Sequence, residues 1–275
     1  MNRKLSWKRV VRQIVLIICA GIILFPFLWM FFASFKEESE VFAKDFHLLP
    51  EHWRFANYID AWNAAPFGRF YMNSLKAALI SVVCQTCFCS MAGYAFAKIQ
   101  FPGKKTLFSF MLAMMILPEE AAIIPNYLLA QDLGLINTSF GIAMMTLVSV
   151  FNIFLLRQTF MAIPDDLLQS AKLDGCSLLK VFVHIAVPNA KGSMATVALL
   201  SFLSSWNNYM WPYMVTDENQ YRTLQIGLKY LVKPDLGPQW PMIMAASTII
   251  LLPVLVLFVF LQKYFVQGML TSGIK

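Results

Sequence analysis

Apolar residues fall along this chain in long runs separated by charged connections. A helix crosses the hydrocarbon of a bilayer with about 20 mostly apolar residues, and six stretches fit that length: residues 14–35, 77–96, 107–130, 140–156, 194–215 and 242–261. The last three hold no Lys, Arg, Asp or Glu. The third is interrupted by Pro118-Glu119-Glu120 and again by Pro125. The pattern predicts an all-α polytopic membrane protein with six transmembrane helices.

Charge gives this pattern a direction, because Lys and Arg beside spans are retained in the cytoplasm. Arg3, Lys4, Lys8, Arg9 and Arg12 precede the first span, and Lys98, Lys104 and Lys105 fill the second-to-third connection. Arg157, Lys172, Lys180 and Lys191 lie in the fourth-to-fifth connection, Lys263 and Lys275 in the tail, whereas the first-to-second connection is rich in Glu and Asp. The expected organisation is a cytoplasmic N-terminus (1–13), a first transmembrane helix (14–35), an outer loop (36–76) and a membrane core (77–275). That core holds helices 2–6, a cytoplasmic loop (162–190) and a cytoplasmic tail (263–275). Both termini are then cytoplasmic. The first span exceeds the apolar core of about 7 to 15 residues in a cleaved signal peptide, so it reads as an uncleaved anchor.

Composition narrows the function classes. The 275 residues are 59% hydrophobic and 13% charged, against about 25% charged in soluble domains, which excludes an ordinary cytosolic enzyme. The net charge of +7 comes from residues flanking spans and builds no basic, aromatic-interleaved surface, so no nucleic-acid partner is expected. Cys84 and Cys87 share a helix face and could hold a metal by thiolates, but buried cysteine also packs as a small apolar residue; packing is the expectation, with no metal site. Cys19 follows Leu16-Ile17-Ile18, which lacks the small residues expected before a lipidated cysteine. No disulfide is expected.

The most informative segment is the loop 162–190. Pro164 with Asp165 and Asp166 suits a helix start, where the ring is tolerated and carboxylates meet the positive helix end. Leu167, Leu168 and Ala171 fall on one face, Asp174-Gly175 supplies a break with glycine free to take positive φ, and Ser177 or Asp174 can cap a second helix. The segment predicts a compact helix-turn-helix that projects from the membrane as a docking knob.

Gln169-Ser170-Ala171, then Gly175, then Ile185 and Val187-Pro188 match in spacing the coupling loop of ABC importer permeases, whose pattern is Glu-Ala-Ala, three residues, Gly, nine residues, Ile, any residue, Leu-Pro. Gln169, Ser170 and Val187 depart from it in residue type; the Asp174-Gly175 pair is kept. Further matches are Asn73-Ser74-Leu75, Ala92-Gly93-Tyr94-Ala95-Phe96-Ala97, Phe101-Pro102-Gly103-Lys104, Leu133-Gly134-Leu135-Ile136-Asn137-Thr138, Trp206-Asn207 and Gln262-Lys263-Tyr264-Phe265-Val266-Gln267-Gly268. Over nearly its whole length the chain resembles the carbohydrate-importer branch, most of all the second membrane subunit of maltose-type systems. The resemblance implies a machine of two permease subunits, two ATPase subunits and an extracellular solute-binding protein, with Gln169, Ser170, Ala171, Asp174, Gly175, Ile185 and Pro188 coupling this chain to the ATPase. The branch imports sugars, oligosaccharides, polyols and glycerol phosphate.

The chain has no phosphate-cradling Gly-x-x-x-x-Gly-Lys-Ser/Thr loop and no metalloprotease or nucleophile-elbow motif; ATP would be bound and hydrolysed by a partner, with no cofactor or metal here. His47 and His52 in the outer loop and His184 in the cytoplasmic loop are expected at the surface. Intramembrane carboxylates are costly and usually face a cavity. Glu120, about 22 Å along a straight helix from Lys105, therefore becomes a candidate for the translocation pathway, or alternatively a structural partner of another helix. Asn207, Asn208 and Tyr209 can present amides and a hydroxyl to a polyol, with Trp206 or Trp211 offering a ring face; interhelical packing is the alternative. A secondary transporter, which would call for inverted repeats and ion sites, and a membrane-embedded enzyme are the competing function classes.

Overall fold

The computed structural model describes residues 7–233 and 237–272; Arg3, Lys4 and Lys275 lie outside them. Helices dominate: α1 (Trp7–Ala33), α2 (Ala56–Asn63), α3 (Phe67–Lys98), α4 (Lys104–Ile116), α5 (Glu119–Asp132), α6 (Ser139–Thr146), α7 (Val150–Met161), α8 (Asp165–Leu173), α9 (Leu178–Asn189), α10 (Lys191–Trp206), α11 (Met210–Val215) and α12 (Trp240–Ser272). Two residue pairs, Val232–Lys233 (β1) and Gly237–Pro238 (β2), make a short antiparallel ladder. The chain divides into a unit of residues 1–67 with 227–252 and a unit of 68–226 with 253–275.

In the first unit α1 is apolar on all sides from Ile14 onward and exposed over residues 11–28, as expected of a helix whose solvent is lipid. Its C-terminal end meets an aromatic cluster in which Phe35 packs on Trp53, Phe55 and Tyr58 at centroid distances of 5.1 to 5.2 Å. Lys36 is buried, its ammonium donating to the His47 carbonyl and lying 4.7 Å from the Trp29 ring centre. Asn57 Nδ2 donates to the Ser34 and Lys36 carbonyls at 2.9 and 2.8 Å. The predicted outer loop is thus built rather than irregular, and α3 begins at Phe67, ahead of the apolar stretch that starts at 77. The polar residues that look like loop are clips, for Asn73 Nδ2 donates to the Gln220 and Arg222 carbonyls at 2.8 and 3.0 Å, and Ser74 Oγ accepts from Leu224 N at 2.8 Å.

Two apolar cores stand out among the described residues of the second unit. One joins Tyr94 and Phe96 of α3, Leu156 and Phe160 of α7, Leu168 and Ala171 of α8, Val181 and Ala186 of α9 and Val197 of α10. Here α3 and α7 cross closely enough that a Cβ on Gly93 would sit 3.0 Å from the Arg157 backbone nitrogen and from Leu156 Cβ; glycine is what the crossing demands. The other core joins Ala77, Ala130, Ile142, Ala143, Trp211 and Val215, with Trp211 Nε1 donating to the Gly141 carbonyl at 2.8 Å.

Three of the six predicted spans are long apolar helices, 10–33, 67–98 and 240–263. The other three are broken. The third bends by 96° between α4 and α5, because Leu117 is extended ahead of Pro118 (φ −73°, ψ 126°), the conformation a following proline imposes. The straight-helix position assigned to Glu120 is therefore wrong. The fourth, expected unbroken, bends by 58° between α6 and α7; Gln85 of α3 takes the freed Thr146 carbonyl at 2.6 Å and Ser149 Oγ caps α7 by accepting from Asn152 N at 3.4 Å. The fifth, also expected unbroken, stops at Trp206 and restarts at Met210. Pro212 removes an N–H and crowds the carbonyl four residues upstream, while Asn208 Oδ1 accepts from Trp211 N at 3.4 Å and starts α11.

Candidate functional site

The segment 165–189 is held at its root by one lysine. Lys98 Nζ, at the end of α3, donates to the Ile163 carbonyl and to Asp165 Oδ1, both at 2.6 Å. That hydrogen bond first, and then the lysine charge, hold the Asp165 carboxyl below its ordinary value of 3.8. Pro164 sits one place earlier than expected, at the N-cap of α8 rather than inside its first turn. Leu168 and Ala171 face the core, but Leu167, expected beside them, is 43% exposed.

The tip is a closed C-cap. Gly175 takes φ +82°, its N–H donates to the Lys172 carbonyl and the Cys176 N–H to the Ala171 carbonyl, both at 3.0 Å. These two bonds satisfy the last carbonyls of α8 in the way a left-handed glycine after a helix allows. Ser177 Oγ then accepts from Lys180 N at 3.4 Å and caps α9, which runs through Pro188 to the start of α10 at Lys191. Of the motif residues, Ala171 and Ile185 pack inward; Gln169, Ser170, Asp174, Gly175 and Pro188 are exposed. Leu173 (88%), Leu178 (54%) and Leu179 (68%) ring the glycine as exposed apolar side chains. Sequence reasoning did not single these leucines out, although three leucines beside a glycine turn is the signal. His184 is exposed, Nδ1 lying 3.2 Å from the Lys180 carbonyl.

The pathway candidates gather at two of the helix breaks. Glu120 follows the 96° bend and is exposed in the single chain, as is Glu119. α5, which starts there, packs on α11, which starts just after Asn207-Asn208-Tyr209; no hydrogen bond joins Glu120 to those three among the described residues. Asn207 is exposed and ends α10, Asn208 is half-buried, and Tyr209 is 40% exposed. The tryptophans do not offer ring faces as expected. Trp206 is 1% and Trp211 2% exposed; Trp206 stacks on Phe202 at 5.2 Å and meets Tyr71 edge-on at 5.6 Å. The accessible aromatic face is instead the stacked pair Tyr209–Tyr213, centroids 5.6 Å apart and 14° from parallel. Tyr213 was missed; the i, i+4 tyrosine spacing was its signal.

A buried polar lattice joins these elements. Ser81 Oγ and Thr146 Oγ1 lie 2.6 Å apart, and Asn152 Nδ2 donates to Gln85 Oε1 at 2.6 Å and to Ser201 Oγ at 3.4 Å. Cys89 is buried with its thiol on the Ser149 carbonyl at 3.6 Å. Among the described residues no three His, Cys, Asp or Glu side chains are grouped to hold a metal.

Residues 89–271 match the family model described as the binding-protein-dependent transport system inner membrane component. The arabinooligosaccharides transport system permease AraQ of Bacillus subtilis (strain 168) is 34% identical over 255 residues, 92% of this chain and 90% of that one. The sn-glycerol-3-phosphate transport system permease UgpE of Yersinia pestis is 30% identical over 267 residues, 94% of this chain and 95% of that one. A crystal structure of a bacterial ABC transporter involved in importing the acidic polysaccharide alginate is similar with a TM-score of 0.81 and 26% identity, covering 96% of this chain and 99% of that one. Fold, motif spacing and relatives agree, and the chain belongs to the binding-protein-dependent transport family as a permease subunit of an ABC importer, a multi-pass protein of a bacterial membrane.

Proposed function

We propose that this subunit forms half of the route for a sugar, oligosaccharide or related polyol and is driven through the segment 162–190. The exposed leucine-ringed turn at Gly175, fixed to α3 by Lys98, carries this reading: it is a stiff apolar knob shaped to sit in a groove of an ATPase. A second permease subunit, two ATPase subunits and an extracellular solute-binding protein complete the machine. ATP is hydrolysed by the partner, and this chain carries neither cofactor nor metal. Six crossings place both termini, the knob and the tail 263–275 in the cytoplasm and 36–76 outside. The broken α10–α11 segment counts as the fifth crossing, although α10 alone reaches only about 24 Å of the ~30 Å hydrocarbon.

Sugar is favoured over glycerol phosphate by the Tyr209–Tyr213 face beside two amides, since rings stack on the apolar faces of sugars and amides bond hydroxyls, whereas none of the four is a cation for a phosphate. Irregular backbone at membrane depth survives only where protein buries it or water lines it; Asn207 and Tyr209 are exposed in the single chain, which supports reading the break as lining a watered route that Glu120 joins. Uptake of labelled oligosaccharide and of labelled glycerol phosphate by cells carrying the intact importer tests this. Tyr209→Ala should cut sugar uptake about tenfold with assembly intact; glycerol phosphate uptake without sugar uptake in the wild type would reverse the assignment. Impermeant thiol labelling of cysteines placed at Asp60 and Gln169 tests the orientation, which labelling of 169 from outside intact cells would overturn.

A further inference from the structure

Where the ends of α3, α4 and α7 meet, the second unit forms an open cavity of about 750 Å³ with an uneven charge. Lys104, Lys105 and Arg157 line it together with Gln100, Thr106 and Ser109, and no acidic residue does. The neighbouring Lys98 already has its carboxylate in Asp165 at 2.6 Å; these three cations have none within ion-pair distance among the described residues. Lys104 Nζ spends two of its donors on the Ala97 and Ile99 carbonyls at 3.3 and 2.8 Å. Arg157 Nε donates to the Phe96 carbonyl at 3.2 Å and its guanidinium carbon lies 4.1 Å from the Phe108 ring centre. Ring and carbonyl fix that guanidinium in place while its two terminal amino groups keep their donors for something else.

We infer that this cavity binds the phosphate of an acidic phospholipid headgroup. Three arguments converge on that occupant. The charges are of the kind that recognises phosphate, a planar fork and two point charges, with side-chain hydroxyls and an amide to complete its shell. The site lies at the end of the long apolar helix α3, among the Lys and Arg that mark one face of the membrane, where basic pockets between spans collect anionic lipids. From its rim, Leu107, Phe110 and Met114 continue along one side of α4 at 53%, 66% and 50% exposure, an apolar track on which an acyl chain can lie while its headgroup stays in the cavity. The consequence is regulatory: a lipid clamped between α3 and α7 braces the crossing at Gly93 that also carries the root of the 165–189 knob, so importer activity should depend on acidic lipid.

The test uses the full-length chain purified with its associated subunits into phosphatidylcholine nanodiscs containing a minor fraction of phosphatidylglycerol, with retained lipid counted by native mass spectrometry. Wild type should retain phosphatidylglycerol preferentially. Lys105→Gln, an exposed residue, should weaken that retention about fivefold, the worth of one basic group near an acidic surface; Arg157→Gln should weaken it at least as much, and Lys44→Gln, a residue that does not line the cavity, should leave it unchanged. Because Arg157 also packs on Phe108, Lys105→Gln is the deciding variant if Arg157→Gln fails to assemble. No preference for phosphatidylglycerol in the wild type, the result expected if an acidic segment of a partner subunit fills the cavity, overturns the inference. So does undiminished preference in Lys105→Gln, and so does loss of preference on adding inorganic phosphate, which would make a soluble anion the occupant.

Discussion

The turn at Asp174-Gly175 and the break at Asn207-Asn208-Tyr209 both interrupt a helical path, but they do so with different means. At the turn, one glycine in the left-handed region lets its own N–H and that of Cys176 reach the Lys172 and Ala171 carbonyls, so the end of α8 is closed without help from distant residues. At the break, the amide of Asn208 starts the next helix while Asn207 and Tyr209 stay exposed. The first is a self-contained, stiff protrusion suited to receiving force. The second leaves polar groups available in an apolar setting, which is what a solute route needs. The break at 147–149 is a third kind, for Gln85 and Cys89 from α3 take the carbonyls of Thr146 and Ser149, so that bend is sealed by its neighbours.

The sharpest way to break the comparison is to deny the turn its glycine. A Cβ on Gly175 meets nothing within 4 Å, so the penalty of Gly175→Val is backbone strain, about 1 to 2 kcal/mol for an ordinary residue in the left-handed region and more for a β-branched one. The variant should relax the tip to another conformation, and solute uptake in reconstituted vesicles should fall tenfold or more while ATP hydrolysis loses its response to the loaded solute-binding protein. Gly175→Asn, which tolerates the left-handed region, should keep most of both. Wild-type uptake and stimulation in Gly175→Val would show that the turn does not transmit force.

How much of this was legible in the sequence follows the same division. The glycine turn after α8 could be read because its determinants are local: Asp174-Gly175 and Ser177 act on backbone within a few residues. The Pro118 bend was half-legible, its position marked by the proline but its 96° angle set by the whole packing of α4 and α5. The bend at 147–149 was not legible, since the group that stabilises it, Gln85, is distant in the chain and looks in sequence like one polar residue inside a span. Likewise Trp206 and Trp211 look like sugar-facing rings until burial shows them packed, whereas the i, i+4 spacing that pairs Tyr213 with Tyr209 was there to be read. The basic cavity escaped for a related reason: Lys104, Lys105 and Arg157 were counted as topology markers, and their meeting place needs the α3–α7 crossing at Gly93.

An intermediate effect is expected at the sealed bend. Asn152→Ala removes the donor to Gln85 Oε1 and strands that buried acceptor, which costs about 1 to 3 kcal/mol. Thermal unfolding of the purified importer should shift down accordingly, whereas Asn207→Ala at the exposed break should leave stability unchanged and lower uptake instead. If Asn207→Ala destabilised the protein as much as Asn152→Ala, the two breaks would be structural alike and the distinction drawn between them would fail.

The smallest effect concerns the root of the knob. Asp165 is held below its ordinary 3.8 by the hydrogen bond from Lys98 and then by the lysine charge. A carboxyl with a depressed folded-state pKa stabilises fully above its ordinary value and loses that contribution as pH falls through the lowered one. Because the aspartate is exposed, solvent screens most of the attraction, and Asp165→Asn keeps an oxygen that still accepts from Lys98. The variant should therefore unfold slightly earlier than wild type at neutral pH, with the difference vanishing only as pH drops below 3.8. Raising ionic strength at neutral pH should shrink the same difference, as screening of an exposed pair demands. No difference between Asp165→Asn and wild type at neutral pH would mean that the Lys98 bond to the Ile163 carbonyl, not the ion pair, fastens the segment to α3.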